Sequence, residues 1–107
     1  RANGSLLAWS IENIIKNSID STDQKSGKIS ISLKKEIDEI KIRIKDNGKG
    51  IPRKDWKNIF RPGFSTKKAG WGLGLSLANR IIEDIHKGNL RVLNSTINKG
   101  TIIEIIL

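Results

Sequence analysis

The segment EIKIRIK at residues 39–45 alternates apolar and charged side chains without a break, and DNGKGIP follows it at 46–52. Strict alternation marks a strand with one buried face. Asp-Asn-Gly after a strand ordinarily closes a tight hairpin, and a second alternating strand then returns beside the first. Here the chain supplies another glycine, a proline and a charged, helix-like run instead. The strand must therefore end in a corner that leads away from the sheet, and the remaining elements must be arranged around it.

Those elements are legible from periodicity. Leu7, Ile11, Ile14, Ile15 and Ile19 fall at helical spacing between Leu6 and Ser21. Ile29, Ile31 and Leu33 alternate with polar residues from Lys28 to Lys34, which predicts a half-buried strand joined by a hairpin to Glu39–Lys45. Pro52 suits a first helical turn, so a short helix is expected over Arg53–Phe60. A longer helix is expected over Leu73–His86, with Leu77, Ala78, Ile81, Ile82 and Ile85 on one stripe and Lys87-Gly88 as its stop. Strands over Leu90–Asn94 and Thr101–Leu107 close the chain. Helix, hairpin, corner, short helix, loop, helix, hairpin is the order of an α+β protein. The architecture expected is a two-layer α/β sandwich: a mixed, mostly antiparallel sheet with helices packed on one face. At 107 residues one domain is expected, and everything between Gly48 and Gly72 gathers at one end of it.

Composition narrows the function. Cysteine is absent, which removes disulfides and thiolate metal sites. No apolar run is long enough to span a bilayer, and no signal-peptide pattern opens the chain. Methionine is absent even at position 1, so a fragment of a larger protein is expected. The net charge is +9, and six basic residues (Arg53, Lys54, Lys57, Arg61, Lys67 and Lys68) stand against one acid, Asp55, between positions 53 and 68. Charge concentrated beside glycine-rich segments favours an anionic ligand there over a diffuse basic coat. Aromatic residues are few and not spaced along strands as base-stacking platforms, which counts against a nucleic-acid module.

Four segments carry chemistry. In ENIIKNSIDS, Asn13 and Asn17 share one helix face, with Asp20 three residues further on. Side-chain carbonyl oxygens suit magnesium; hydrogen bonds to neighbouring loops are the plainer alternative. In DNGKGIP, Gly48 and Gly50 permit close backbone approach, and Asp46 can accept a hydrogen bond from an amino group deep in a pocket. An ordinary turn with a solvated aspartate is the other possibility. In GWGLGLSLANRII, glycines at 70, 72 and 74 lead into a helix and can turn free N–H groups towards phosphates. The spacing G-x-G-x-G is neither the dinucleotide fingerprint nor a Walker loop. FRPGFSTKKA, residues 60–69, is a basic loop able to close over a ligand as a lid, or a plain surface loop anchored by Phe60.

Taken in order, these segments resemble the ATP-binding catalytic domain of sensor histidine kinases. That is the Bergerat-type fold shared with type II topoisomerases, Hsp90 chaperones and MutL mismatch-repair proteins. ENIIKNSID is similar to the N box, DNGKG to the first glycine box, FRPGF to the F box, GWGLGL to the second glycine box, and KGTIIEIIL to the closing Gly-Thr strand. The resemblance implies ATP and magnesium as ligands. Its nucleotide site would comprise Asn13, Asn17, Asp20, Asp46, Gly48, Gly50, Ile51, Phe60, Ser65, Thr66, Lys67, Gly70, Gly72, Leu73, Gly74, Leu75 and Thr101. Asp46 would accept from the adenine amino group. Guanine has a carbonyl oxygen there and would set two acceptors against each other, so ATP is expected over GTP. Asn17 would ligate magnesium, Asn13 would line the phosphate side, and Lys67, Lys68 or Lys16 would offset phosphate charge.

Two departures shape the expected activity. The hydrolysing members of the fold carry a glutamate base four residues before the magnesium asparagine; here that position is Asn13, with Glu12 about 100° round the helix. Transfer to a protein side chain is therefore expected over hydrolysis, with Glu12 and Asn13 as the candidates near the reacting group. The single histidine, His86, reads as a helix-terminal residue and not as the phosphate acceptor. The resemblance implies an acceptor histidine on a separate helical hairpin of the same protein, and a response-regulator receiver domain downstream. It also implies strand material ahead of the first helix, so that a chain starting at RANGSLL lacks part of its sheet. The expected setting is cytoplasmic, with a monomeric fragment that touches neither nucleic acid nor membrane. Alternatives are a related ATPase, an anti-sigma-type serine kinase, or a non-enzymatic basic nucleic-acid module.

Overall fold

The computed structural model describes residues 4–22, 25–61, 74–85 and 87–107. Helix α1 (Gly4–Asp20) leads into a hairpin of β1 (Ile29–Lys35) and β2 (Ile40–Asp46). After the corner come two single 3-10 turns, then α2 (Gly74–Arg80), which continues as a wider π turn over Ile81–Ile85. A hairpin of β3 (Asn89–Thr96) and β4 (Gly100–Ile106) completes the chain. The sheet order is β1-β2-β4-β3, and all three pairings are antiparallel. The last strand of the chain thus fills the centre of the sheet beside β2.

One sheet face meets the helices. Ile42 and Ile44 from β2, Ile103 and Ile105 from β4, and Leu90 and Val92 from β3 are buried against Ile14 of α1 and Ala78 and Ile82 of the second helix. Each fully buried isoleucine contributes about 2–3 kcal/mol. The innermost line of α1 is not purely aliphatic: Ser10, Ile14 and Ser18 are all buried, one turn apart. Small residues let the helix sit close, and Ser10 Oγ returns its proton to the Leu6 carbonyl at 2.9 Å.

Several details differ from the expectation. The described sheet is antiparallel throughout and not mixed. Ile19 and Leu77, expected on the apolar stripes, are exposed. The predicted helix over Arg53–Phe60 is two 3-10 turns, Arg53–Asp55 and Asn58–Phe60. Eight residues gain little from α-helical cooperativity, and Trp56 caps the first turn while Ile59 sits in the second. Ile59 is buried, Trp56 packs against the core, and Trp56 Nε1 donates to the Ile51 carbonyl at 3.0 Å. The stop after the second helix puts Lys87, not Gly88, in the left-handed region (φ 56), while Gly88 N–H donates to the Ile82 carbonyl at 2.8 Å. A glycine is needed at 88 for another reason: a Cβ there would lie 2.2 Å from the Ile106 carbonyl oxygen. Finally, β1 is not half-buried. Ile31 and Leu33 pair with Ile44 and Ile42 and share their face, yet they are 54% and 65% exposed because they lie at the sheet edge.

The far face of the sheet is polar and holds one buried charge. Glu104, fully buried, stands between its cross-strand partners Arg43 and Arg91. Arg43 Nε donates to one carboxylate oxygen at 2.9 Å, and Arg91 Nε and Nη2 approach the other at 2.9 and 2.8 Å. Burial pushes the Glu104 carboxyl upward, but the bonds from Arg91 and Arg43 outweigh it and hold it below the usual glutamate value.

Candidate nucleotide site

Asp46 ends β2 on the helix-facing side of the sheet, 5% exposed, and its cross-strand partner on β4 is the buried Thr101. Its Oδ1 accepts the Gly48 N–H at 2.9 Å. The carboxylate is thus fixed by its own corner, in a place where water is largely excluded.

The chain does not pair back after Asp46 because three other segments grip the corner. At the C-terminal end of α1, Ser21 O accepts the Lys49 N–H at 3.1 Å. Gly48 lies so close that a Cβ would be 2.4 Å from that same carbonyl oxygen. Ahead of β1, Asn47 Oδ1 accepts the Lys28 N–H at 2.8 Å and its Nδ2 donates to Ser26 O at 2.9 Å. On the third side is the β3–β4 turn. Asn98 N–H donates to Lys49 O at 2.8 Å, and Ile51 N–H donates to Ser95 Oγ at 2.7 Å. Gly50 has φ +80, and a Cβ there would sit 2.3 Å from Thr96 O. Both corner glycines are therefore required by backbone packing before any ligand is considered.

Asn13 and Asn17 stand on the α1 face that leads to this junction. Asn17 is half-buried, one helical turn before Ser21, whose N–H donates to the Asn17 carbonyl at 3.2 Å. Asn13 Nδ2 donates to the Trp9 carbonyl at 2.8 Å, so its amide is oriented by its own helix. Glu12, Lys16 and Asp20 are exposed. Ile51, Phe60 and Leu75 are half-buried and pack on the core, and Gly74 opens α2. Ser65, Thr66, Lys67, Gly70, Gly72 and Leu73, with Lys68 and His86, lie outside the described residues. Among the basic residues of the 53–68 run, Arg53 places its guanidinium over the Trp56 ring, 4.5 Å from the centroid.

Among the described residues no cluster of three acidic, histidine or cysteine side chains is placed to hold a metal. A metal here would depend on amide oxygens and on oxygens its ligand brings. The apolar groove of about 340 Å³ between Ser5, Leu6, Trp9, Leu77 and Ile81 belongs to the other end of α1. Leu6 and Ser21 are separated by about 22 Å of helix rise.

Several residues that grip the corner were not singled out by the sequence: Ser21, Ser95 and Asn98, and Asn47 beyond its part in the Asp-Asn-Gly turn. Ser95 is instructive. Alternation from Leu90 and Val92 would put Asn94 on the inner face, but a bulge between Val92 and Asn94 shifts the register so that Ser95 faces Thr101.

Comparison with known proteins agrees with this fold. Residues 3–107 match the family described as histidine kinase-, DNA gyrase B-, and HSP90-like ATPase. Sporulation kinase C of Bacillus subtilis (strain 168) is 39% identical over 95 residues, covering 89% of this chain and 22% of that protein. The signal transduction histidine-protein kinase AtoS of Escherichia coli (strain K12) is 41% identical over 92 residues, covering 85% of this chain and 15% of that one. The chain thus spans about a fifth of the length of such relatives. Among solved structures, the catalytic domain of histidine kinase ThkA superposes with a TM-score of 0.87 at 31% identity, over 99% of this chain and 68% of that one. The mycobacterial sensor histidine kinase MprB gives 0.86 at 28%, over 99% and 72%. By fold and by sequence, this chain belongs to the histidine kinase-, DNA gyrase B-, and HSP90-like ATPase family, and histidine kinases are among the proteins it resembles.

Proposed function

We propose that the chain binds ATP with magnesium and serves as the catalytic part of a protein that phosphorylates a histidine on a separate helical hairpin. The observation that carries this reading is the buried Asp46 carboxylate, fixed through Oδ1 by the Gly48 amide and set opposite Thr101. In this reading the second carboxylate oxygen accepts from the adenine amino group. A guanine carbonyl in that place would leave two buried acceptors without a proton between them. The triphosphate then extends towards α1 and the 70–74 glycines. Asn17 would hold magnesium through its side-chain oxygen, with Asn13 beside it, and the metal would supply charge neutralisation at the phosphate oxygens. Transfer breaks the bond between the γ-phosphorus and its bridging oxygen and forms one to an imidazole nitrogen, with ADP leaving.

Asn13 occupies the place of a hydrolytic base and its amide cannot take up a proton at neutral pH, which favours transfer over hydrolysis. Glu12 is exposed on α1 and is our candidate for orienting the incoming imidazole. We place Gly70, Gly72, Leu73 and Gly74 at the phosphates, Ser65, Thr66 and Lys67 in the lid, and Phe60, Ile51 and Leu75 in the wall. A receiver domain is the expected next phosphate carrier, and a cytoplasmic setting is the expected one. No helix among the described residues is long and apolar enough to cross a membrane.

Calorimetric titration with ATP and GTP, each with and without magnesium, tests the reading. Binding of ATP over GTP that strengthens with magnesium supports it; equal binding of both nucleotides overturns it. Incubation with γ-labelled ATP should leave this chain unlabelled, and covalent label on His86 would contradict the separate acceptor.

A further inference from the structure

We infer that Ser95 is a positioning residue for base recognition: its hydroxyl locks the corner that carries Asp46, and so sets how strongly guanine is rejected. This rests on the nucleotide reading above. The bulge in β3 turns Ser95 onto the inner face, where it meets three groups from two segments. Its Oγ accepts the Ile51 N–H at 2.7 Å, lies 3.1 Å from the Gly100 carbonyl oxygen, and lies 2.7 Å from Thr101 Oγ1. A serine hydroxyl has one proton and two lone pairs. All three contacts are satisfied together when Ser95 gives its proton to Gly100 O and takes those of Ile51 and Thr101. One side chain therefore ties the exit of the corner to the residue that stands across the ladder from Asp46.

The consequence for specificity follows from what rejection requires. Adenine is accepted by a hydrogen bond that tolerates small displacements. Guanine is rejected only while the carboxylate has nowhere to retreat from a facing carbonyl oxygen. The Lys49 bonds to Ser21 and Asn98 hold the middle of the corner. Ser95 holds its far side. Without that hydroxyl the half-buried Ile51 N–H loses its acceptor, the corner loosens, and the penalty on guanine relaxes more than the bond to adenine weakens.

The test compares ATP and GTP affinity in the parent chain, Ser95→Ala, Ser95→Cys, Ser95→Thr and Ser10→Ala, each checked for folding by circular dichroism. Loss of one neutral hydrogen bond should weaken ATP binding by roughly fivefold in Ser95→Ala. The preference for ATP over GTP should fall by on the order of tenfold. Ser95→Cys keeps the volume with a weak acceptor and should behave like alanine, which covers the case that alanine does not fold. Ser95→Thr keeps the hydroxyl and should restore the preference. Ser10→Ala removes a buried hydroxyl elsewhere and should lower the melting temperature with the preference intact. Folded Ser95→Ala or Ser95→Cys with the parent's preference overturns the inference. A parent chain that shows no preference overturns the nucleotide reading itself, and the two failures are distinct.

Discussion

The corner at 46–51 is gripped by α1, by the loop ahead of β1 and by the β3–β4 turn, whereas the Asn13–Asn17 face of α1 rests on its own helix. At the corner a buried carboxylate is held by a backbone amide. On the helix face the polar groups are exposed or half-buried, and among the described residues Asn13 is tied one turn back along the same helix. The contrast matches what the proposed function asks of the two ends. Telling one purine from another needs an acceptor that stays in place, because discrimination comes from a mismatch that relaxation would erase. Gripping a triphosphate needs charge and metal ligands, and the ligand's own charge brings those into order.

The strongest way to break this comparison is Asp46→Asn. The amide oxygen keeps an acceptor for the Gly48 N–H, but an NH₂ replaces the carboxylate oxygen facing the base. ATP affinity should fall by roughly 100-fold, about 2.7 kcal/mol. Calorimetry that finds affinity and base preference intact would remove Asp46 from the site.

Gly50→Ala attacks the rigidity of the corner directly. With φ +80 and the Thr96 carbonyl oxygen 2.3 Å from the added Cβ, the change should cost on the order of 2–3 kcal/mol of stability. It should appear as a lower denaturant midpoint. An unchanged midpoint would mean that the corner is softer than its contacts imply.

Glu104→Gln sharpens the comparison by removing a buried charge from the opposite sheet face. Losing its charge-assisted bonds to Arg43 and Arg91 should cost about 2 kcal/mol at neutral pH, with ATP affinity unchanged. The sign with pH is set by the lowered carboxyl. Its contribution is present above the unfolded value, near 4.5, and is lost as pH falls through the lower folded value. Acid denaturation of the parent should therefore steepen below about pH 4.5 relative to the glutamine variant, and parallel curves would contradict the ion triad.

The smallest effect is expected on the open face. Asn17→Ala should weaken ATP binding by roughly fivefold, about 1 kcal/mol, and only when magnesium is present. Stability should scarcely change, since alanine is the better helix former. An equal loss without metal would assign Asn17 to the nucleotide itself.

Much of this was readable along the chain, and the misses share a cause. The alternation in 39–45 identified β2, and the break at DNGKGIP located the corner. The place of Asp46 at the corner was readable because it is local: it is the last residue of a strand. Ser95 was missed because a bulge reverses its face, and bulges leave little trace in an alternating pattern. The 53–60 segment was read as one helix because Pro52 suits a first helical turn, a signal that does not separate α from 3-10 geometry. The exposure of Ile31 and Leu33 was invisible too, since alternation reports which face a residue takes and not whether anything covers it.

By itself, then, the sequence determined the elements, their apolar faces and the order of the glycine-bearing segments. Each of these depends on side chains a few positions apart. The grip on the corner was decided only by the tertiary structure: Ser21 and Asn98 act through their own backbone and Asn47 and Ser95 through side chains, but in every case the group they meet is a backbone amide or carbonyl. Those groups are the same in every residue, so no amino-acid type announces where they converge.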